Sequence, residues 1–189
     1  MYAPKKNYLQ KMNYIGGFFM SEPMTCRQTL AITSHRVLAG DLNEHETVYG
    51  GRLLEMLDGT ASISAARIAK SVNVTASMDQ TNFIAPFGLQ DSFCIETYVS
   101  GCGNRSIEVF AKIIGEHLQT GERYIGLTSF LTFVITDKNV SLDKIIPETV
   151  EEKMINAGYK KRQAERMSNL KSQKEFNASL SSDYPWDIE

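Results

Sequence analysis

A long helical pattern that is apolar over most of its circumference constrains the fold of this chain more than any other feature. The pattern opens at Gly50-Gly51 and runs to about Lys70. Its apolar residues are Leu53, Leu54, Met56, Leu57, Ala61, Ile63, Ala65, Ala66 and Ile68. A helix of this kind is typical of a domain interior, so we expect it to be buried on nearly all sides.

Segments rich in β-branched and aromatic residues flank this helical pattern. One precedes it and four follow it, at Arg27–Leu38, Val72–Phe83, Asp91–Ser100, Ser106–Glu116 and Arg123–Thr136. Short links rich in turn residues separate the last four segments, and short links favour antiparallel pairing. The simplest way to bury the helix is a five-stranded antiparallel sheet wrapped around it, which predicts an α+β fold.

The chain divides into a body and two flanking regions. Residues 1–25 contain only a short apolar stretch broken by two glycines, and are predicted to be a flexible leader. Residues 26–140 form the predicted sheet-and-helix domain. A second helical pattern, acidic at its start and basic later, predicts a C-terminal helical extension over residues 141–176. Residues 177–189 are polar and predicted to be an extended tail.

The composition excludes several classes of protein. The net charge of -2 excludes a strongly basic protein held to nucleic acid by charge alone. No apolar run approaches the ~20 residues that a membrane-spanning helix needs. The 3 cysteines form no Cys-x-x-Cys pair, and the 3 histidines lie far apart. This pattern argues against a disulfide framework and against a metal site. Reduced thiols are typical of a cytoplasmic protein.

One carboxylate, Asp58, lies inside the helix that is predicted to be the most buried. A buried charge is costly unless it is paired or has a function. At about 100° per residue, Asp58 lies about 20° from Gly51 around the helix axis and two turns further along. Two interpretations are open: Asp58 pairs with a basic group or caps a neighbouring segment, or it carries chemistry.

The start of this helix and the polar loop before it offer hydrogen-bonding groups. Glycines at Gly50-Gly51 let a ligand approach bare N–H groups, where the helix dipole favours a phosphate or a developing oxyanion. The alternative is a tight turn that needs positive φ. Asn43, in the loop Ala39–Tyr49, either stabilises its own turn or holds a water against Asp58.

A third group of polar residues lies in the turn Gly103-Asn104-Arg105-Ser106. It places a guanidinium and a hydroxyl at the start of a strand, which suits contact with a phosphate or a pantetheine chain. The alternative is an ordinary hairpin turn with a surface arginine.

Several blocks of the sequence stand together in a recognisable order over about residues 26–166. The blocks are Asn43–Asp58 with its two glycines, Val74–Asp79 followed by Phe83 and Pro86, Gly103–Val109, Phe130–Val134 and Pro147–Glu152. This arrangement resembles the hotdog-fold acyl-CoA thioesterases, in the group of YciA-like and brain-type acyl-CoA hydrolases. The resemblance implies the hotdog fold, a sheet wrapped around one long central helix, with a further C-terminal helix.

The resemblance also implies an activity and its residues. It implies hydrolysis of acyl-CoA to a fatty acid and coenzyme A, with no cofactor beyond the coenzyme A of the substrate. Asp58 then acts as general base or nucleophile, Asn43 positions water or substrate, and the backbone at Gly51 polarises the thioester carbonyl. Coenzyme A contacts are implied for Gly50, Ala76, Ser77, Met78, Arg105, Ser106 and Ile107 and, on a looser alignment, Arg162. Members of the family form dimers that build hexamers, with the site between two subunits.

The chemistry of the leaving group agrees with so small a set of residues. A thiol has a pKa of roughly 8.5, so a thiolate needs little protonation, and one carboxylate with an oxyanion site can suffice. Three alternatives remain: a non-hydrolytic acyl-CoA-binding or sensing protein on the same fold, a dehydratase-type hotdog enzyme, and a partner-binding scaffold using the basic C-terminal helix. Dehydratase chemistry needs a histidine near the central helix, and the only histidine nearby in the sequence is His45.

Overall fold

The computed structural model describes residues 23–137, 140 and 142–183. Its helices are α1 (Cys26–Thr29), α2 (Gly50–Ala69), α3 (Val150–Ala157) and α4 (Tyr159–Ser179). Its strands are β1 (Met24–Thr25), β2 (Ala31–Arg36), β3 (Asn73–Phe83), β4 (Asp91–Cys102), β5 (Ser106–His117), β6 (Arg123–Ile135) and β7 (Ile145–Ile146). Most of the predicted leader and the last six residues of the predicted tail lie outside the described residues.

Five strands form one antiparallel sheet in the order β2-β4-β5-β6-β3. The long helix α2 packs against this sheet, so the predicted α+β architecture is confirmed. The strands β3 to β6, which follow α2, begin and end within two residues of their predicted bounds. The short strands β1 and β7 pair in parallel beside the sheet, so Met24 and Thr25 belong to the body rather than to the leader.

The strand predicted over Arg27–Leu38 is wrong at its start, where α1 forms instead. Thr25 caps this helix: its hydroxyl accepts from Gln28 N (3.3 Å), and Thr25 N donates to Gln28 Oε1 (2.8 Å). These two hydrogen bonds satisfy backbone and side-chain groups that a strand would leave open. The hydroxyl of Thr29 accepts from Val99 N (2.9 Å), which ties α1 to β4 before β2 begins.

The prediction that α2 is buried on nearly all sides is wrong for this single chain. One face of the helix is buried against the sheet, and its fully buried residues are Leu57, Ala61, Ser64 and Ala65. The opposite face is open, with Gly59 exposed and Ile63 46% exposed. One sheet covers only one side of a helix, and the apolar pattern does not distinguish a side covered by this chain from a side left for a partner.

The predicted C-terminal helical extension begins with the short strand β7 and continues as two helices, separated at Gly158, that pack on the other face of the sheet. Thr149 and Glu152 form a capping box at the start of α3, in agreement with the acidic residues expected there. In β5, Ile107 and Val109 face the core with α2, and Glu108 faces α4 because successive side chains of a strand alternate. Tyr159 anchors the beginning of α4, whereas the described side chains after position 166 are exposed.

Among the described residues, no helix is both long enough and apolar enough to cross a membrane.

Candidate active site

Asp58 lies in the middle of α2 on the side that faces β3, and its side chain is half-buried. The hydroxyl of Thr75, in β3, donates a hydrogen bond of 2.8 Å to Asp58 Oδ1. No described basic side chain forms an ion pair with Asp58, so the interpretation of Asp58 as one half of a buried ion pair is not supported. The structure thus presents a carboxylate that is oriented by a hydroxyl and still accessible.

Sequence reasoning gave Thr75 no role. Thr75 lies seventeen residues after Asp58 and in a different element, so neither helical nor strand periodicity connects the two residues. The only available signal was that Thr75 stands within the block Val74–Asp79 on which the resemblance rests. The contact arises because β3 runs back along α2 after the helix ends.

The start of α2 provides backbone donors beside an open cavity. Tyr49 precedes the helix and its side chain makes no capping hydrogen bond. The first N–H groups of a helix have no partner within the helix. A cavity of about 490 Å³ adjoins this end. Its lining consists of Gly40, Asp41, Leu42, Tyr49, Gly51, Arg52 and Glu55.

The two glycines at this helix start lie against aromatic side chains. Neither Gly50 nor Gly51 has positive φ, so the tight-turn interpretation is wrong. A Cβ on Gly50 would stand 3.3 Å from Cε1 of Phe83, and one on Gly51 would overlap the ring of Tyr49. Side chains larger than hydrogen would therefore displace the aromatic rings that flank the helix start.

Asp41 is a polar residue of this cavity that sequence reasoning did not single out. Its Oδ2 accepts from Leu38 N (2.8 Å) and lies 2.8 Å from Nε2 of His35. The hydrogen bond with His35 holds the pKa of Asp41 below its usual value. Arg52 Nε lies 3.7 Å from the other carboxylate oxygen, so Asp41 fixes both the loop and an arginine at the helix start.

Asn43 stabilises its own loop, as one of its two predicted interpretations expects. Its Oδ1 accepts from His45 N (2.9 Å), Thr47 N (3.2 Å) and Thr47 Oγ1 (3.2 Å). It makes no hydrogen bond with Asp58 in this chain. The Nδ2 group of Asn43 donates to no described residue, so the amide keeps a donor for another molecule.

The predicted coenzyme A residues of β3 lie beside Thr75. Ala76 is exposed at an irregularity of the β3–β6 pairing, where the partners shift between Thr75 and Ser77. Ser77 donates to Asp79 Oδ2 (2.9 Å), and Met78 packs partly against the core. Of the three, only Ala76 is exposed.

The turn at Arg105 divides its predicted residues between surface and core. Arg105 is exposed, and its guanidinium pairs with no described residue. Ser106 is half-buried, whereas Ile107 is fully buried in the core. A coenzyme A contact at Ile107 is therefore restricted to the backbone.

Arg162 has a set of partners that its predicted role did not include. Its Nη2 lies 2.8 Å from Oε1 of Glu108, and its guanidinium lies 4.0 Å from the ring centroid of Phe130. Glu108 is itself fully buried. The contacts assign this guanidinium to holding α4 on the sheet, and contact with a nucleotide stays a prediction.

Comparison with known proteins agrees with this geometry. Residues 45–122 match the thioesterase superfamily. The chain is 42% identical over 172 residues to the uncharacterized acyl-CoA thioester hydrolase YkhA of Bacillus subtilis, covering 88% of this chain and 100% of the relative. The acyl-CoA hydrolase of Bacillus cereus matches with a TM-score of 0.80 at 36% identity, covering 85% of this chain and 99% of that one. Fold and site thus define a hotdog-fold protein of the thioesterase superfamily.

Within this superfamily, the chain belongs to the acyl-CoA thioester hydrolases. A structure of the acyl-CoA hydrolase of Staphylococcus aureus, in complex with butyryl coenzyme A, coenzyme A and coenzyme A disulfide, matches with a TM-score of 0.74 at 28% identity. That match covers 83% of this chain and 100% of the other. The cytosolic acyl coenzyme A thioester hydrolase of Rattus norvegicus is 28% identical over 137 residues, and this chain spans 36% of its length.

Three structures of alanine variants of the Staphylococcus aureus enzyme bear on the site. They replace an asparagine, an aspartate fifteen residues later and a threonine seventeen residues beyond that. Asn43, Asp58 and Thr75 have the same residue types at the same spacing. In residue type and spacing, the two predicted residues and Thr75 therefore match the residues that were replaced in that relative.

Proposed function

We propose that this protein hydrolyses acyl-CoA thioesters to a fatty acid and coenzyme A at a site built around Asp58. The observation that carries the proposal is the accessible carboxylate of Asp58, held by Thr75 on the helix whose start leaves free N–H groups. Membership of the acyl-CoA thioester hydrolases supplies the substrate class.

The proposed reaction uses Asp58 as a general base. Asp58 takes a proton from water while the water oxygen attacks the thioester carbon, and the carbonyl oxygen gains negative charge. When the C–S bond breaks, coenzyme A leaves as a thiolate, which takes up a proton. No second acid is required, because the thiolate is a good leaving group. Direct attack by the carboxylate is the other route, and an anhydride at Asp58 would then precede hydrolysis.

Backbone N–H groups at Gly50-Gly51 are proposed to stabilise the oxyanion. Within one chain, Gly51 and Asp58 lie about 10 Å apart along the helix axis. At that separation, one thioester group cannot contact both Gly51 and Asp58. We therefore assign the helix start and Asp58 of one site to two different copies of the chain, with the free amide of Asn43 supplied together with the helix start.

The edge strand β3 supports a homo-oligomer built from dimers. It lies at the end of the sheet, so one side of its backbone has no strand partner among the described residues. Exposed apolar residues accompany it, and these are Val72, Val74, Phe83 and Ile84. Pairing through two such edges would cover the open face of α2 and enclose Asp58. A hexameric acyl-CoA thioesterase matches this chain with a TM-score of 0.71 at 29% identity, and a trimer of dimers is the corresponding proposal.

Coenzyme A binding, the need for a cofactor and the cellular location complete the proposal. The uncommitted guanidinium of Arg105 is assigned to the phosphates of coenzyme A, and the exposed Ala76 to the pantetheine chain. The reaction needs no cofactor, since every chemical step uses groups of the protein, water or the substrate. The described cysteines are free thiols, in keeping with a cytoplasmic location.

Thiol release from acyl-CoA tests the proposed function. A colorimetric thiol assay with a panel of saturated acyl-CoA substrates, from short to long chains, should show catalytic release for at least one chain length. Binding of acyl-CoA without release from any member would overturn the proposal and favour a non-hydrolytic binding protein. No described feature favours that alternative.

A further inference from the structure

The strongest unexplained contact in the structure joins α4 to the turn that carries Arg105. The ring of Tyr159, which is buried, lies so close to Gly101 that a Cβ there would overlap it. At Gly103, a Cβ would stand 2.6 Å from Ser106 Oγ and 2.9 Å from Gln163 Nε2. Neither glycine has positive φ. The close approach of the Tyr159 ring requires a glycine at position 101, whereas the space at Gly103 is limited by Ser106 of the same turn as well as by α4.

Tyr159 and Gln163 form a pair on the face of α4 that meets this turn. Gln163 Nε2 donates a hydrogen bond of 2.9 Å to the hydroxyl of Tyr159. Burial raises the pKa of Tyr159 to about 12, and a hydrogen bond with Ser106 opposes that rise. Gln163 Nε2 and the hydroxyl of Tyr159 both lie within 3.5 Å of where a Cβ on Gly103 would stand, so the pair contacts the turn directly.

The backbone of the turn is held from two further directions. Gly103 N donates to Ser106 O (2.8 Å), which closes the turn, and Ile135 N donates to Arg105 O (2.9 Å), which ties it to the end of β6. With these bonds in place, α4 is the remaining support. A long side chain such as arginine loses entropy on binding, and a rigid base beneath it lowers that cost.

Glu108 fixes α4 in this position. Arg162 donates to both of its oxygens and Arg166 Nη1 lies 2.6 Å from Oε2. The hydroxyl of Ser100 donates to Oε1 (2.7 Å). Ser100 lies near the end of β4 and Glu108 near the start of β5, so these contacts hold α4 against the two strands that the turn connects.

We propose that α4 is the positioning element for the phosphate end of the substrate, with Tyr159 and Gln163 as positioning residues that hold the Arg105 turn ready to bind. The inference rests on the proposed function and assigns to α4 the preference for coenzyme A thioesters over thioesters of pantetheine, which lack the nucleotide. Arg162 contributes through Glu108 rather than by touching the nucleotide.

The test compares Tyr159→Phe and Gln163→Ala with the wild-type protein. Each is assayed with two thioesters of one acyl chain, one of coenzyme A and one of pantetheine. The ratio of kcat/KM for the two substrates should fall about tenfold in each variant, through a higher KM for acyl-CoA, while pantetheine turnover stays unchanged. Tyr159→Phe keeps the ring against Gly101. Gln173→Ala is the matched control because, within the part of the chain that the structure describes, the side chain of Gln173 hydrogen-bonds only to Asn177.

Calorimetric binding of coenzyme A and of pantetheine provides a readout that does not depend on hydrolysis. The affinity for coenzyme A should fall by the same factor in both variants, and the affinity for pantetheine should stay constant. Equal losses for both ligands, or no change for either, would overturn the inference. A wild-type protein that binds coenzyme A but releases no thiol would instead contradict the proposed function, while the binding ratios would still decide this inference.

Discussion

At the scale of single residues, Thr75 decides how the Asp58 carboxylate is presented. Its hydroxyl is the side-chain donor that reaches Oδ1, and the carboxylate has no basic partner among the described residues. A carboxylate free to rotate would spend less time in the orientation that takes a proton from water. The hydrogen bond therefore contributes to catalysis by orientation.

Replacing Thr75 by valine tests this role. Thr75→Val keeps the shape of the side chain and removes the donor, and kcat for acyl-CoA should fall roughly ten- to a hundredfold, as expected for a lost hydrogen bond to a charged group. Thr75→Ser restores the hydroxyl and should recover most of the rate. Equal rates for the valine and serine variants would show that the hydroxyl has no part in catalysis.

Asp91 holds the loop that leads from β3 to β4. Its Oδ2 accepts from Gly88 N (2.7 Å) and from the hydroxyl of Tyr124 (2.9 Å), and its Oδ1 lies 2.6 Å from Nδ1 of His117. Burial raises its pKa, but these hydrogen bonds outweigh burial and the pKa of Asp91 is lowered overall. Since Val48 N donates to Phe87 O (2.9 Å), this loop also supports the approach to α2.

Stability should depend on Asp91 in a pH-dependent way. A lowered pKa means that the carboxylate stabilises the fold fully above its unfolded-state pKa of about 3.9, and that this contribution is lost as the pH falls through the lower folded-state pKa. Asp91→Asn should therefore reduce the free energy of unfolding at pH 7 by about 1.5–3 kcal/mol. Urea unfolding between pH 7 and pH 3 should show the difference shrinking below about pH 4, and a constant difference would contradict this account.

At the scale of elements, the attachment of α4 depends on one buried carboxylate. Glu108 is fully buried and neutralises charge on Arg162 and Arg166. Removing one partner of a buried ion pair leaves the other charge uncompensated, at a cost of about 3–5 kcal/mol.

Glu108→Gln should therefore lower the melting temperature by roughly 6–20 °C at fixed protein concentration. The matched control is Glu165→Gln in α4, because the ion pair of Glu165 with Lys161 is exposed and 4.0 Å long. Differential scanning calorimetry should show no more than a small shift for this control. Similar melting temperatures for both variants would mean that the buried pair does not hold the helix.

The elements also show how far the sequence predicts this molecule. The bounds of α2 and of four strands follow from local patterns, because apolar periodicity and turn residues act over a few positions. The ion pair of Arg162 with Glu108 does not follow, since 54 positions separate the two residues and the sequence does not show which basic residues are paired. The contact of Thr75 with Asp58 was not predicted for the same reason. The hydrogen bonds of Asn43 join residues at most four positions apart, so they could be predicted from the sequence.

At the scale of the whole molecule, a single chain leaves the proposed site incomplete. Thr75 is exposed, Asp58 is half-buried, and one face of α2 has no cover among the described residues. Electrostatic stabilisation of an oxyanion is strongest where water is excluded. A second copy at the β3 edge would supply both the cover and the missing donors.

Mixing two inactive variants tests this division of the site. Asn43→Asp keeps an acceptor for His45 N and Thr47 N but loses the amide donor, and Asp58→Asn loses the base. If one copy supplies Asn43 and the other Asp58, co-expression in equal amounts should restore about a quarter of wild-type activity, because half of the dimers are mixed and each has one intact site. Activity no higher than that of the separate variants would place both residues of a site in one chain.

Thiol release by Asp58→Asn is the most direct test of the central claim that this carboxylate carries the hydrolysis of acyl-CoA. The substitution preserves the shape of the side chain and an acceptor for Thr75, so the oligomer measured by light scattering should be unchanged. The account predicts that kcat falls by about 10²–10⁴-fold relative to wild type, as expected for loss of a general base. Release at the wild-type rate by a correctly assembled Asp58→Asn variant would contradict it.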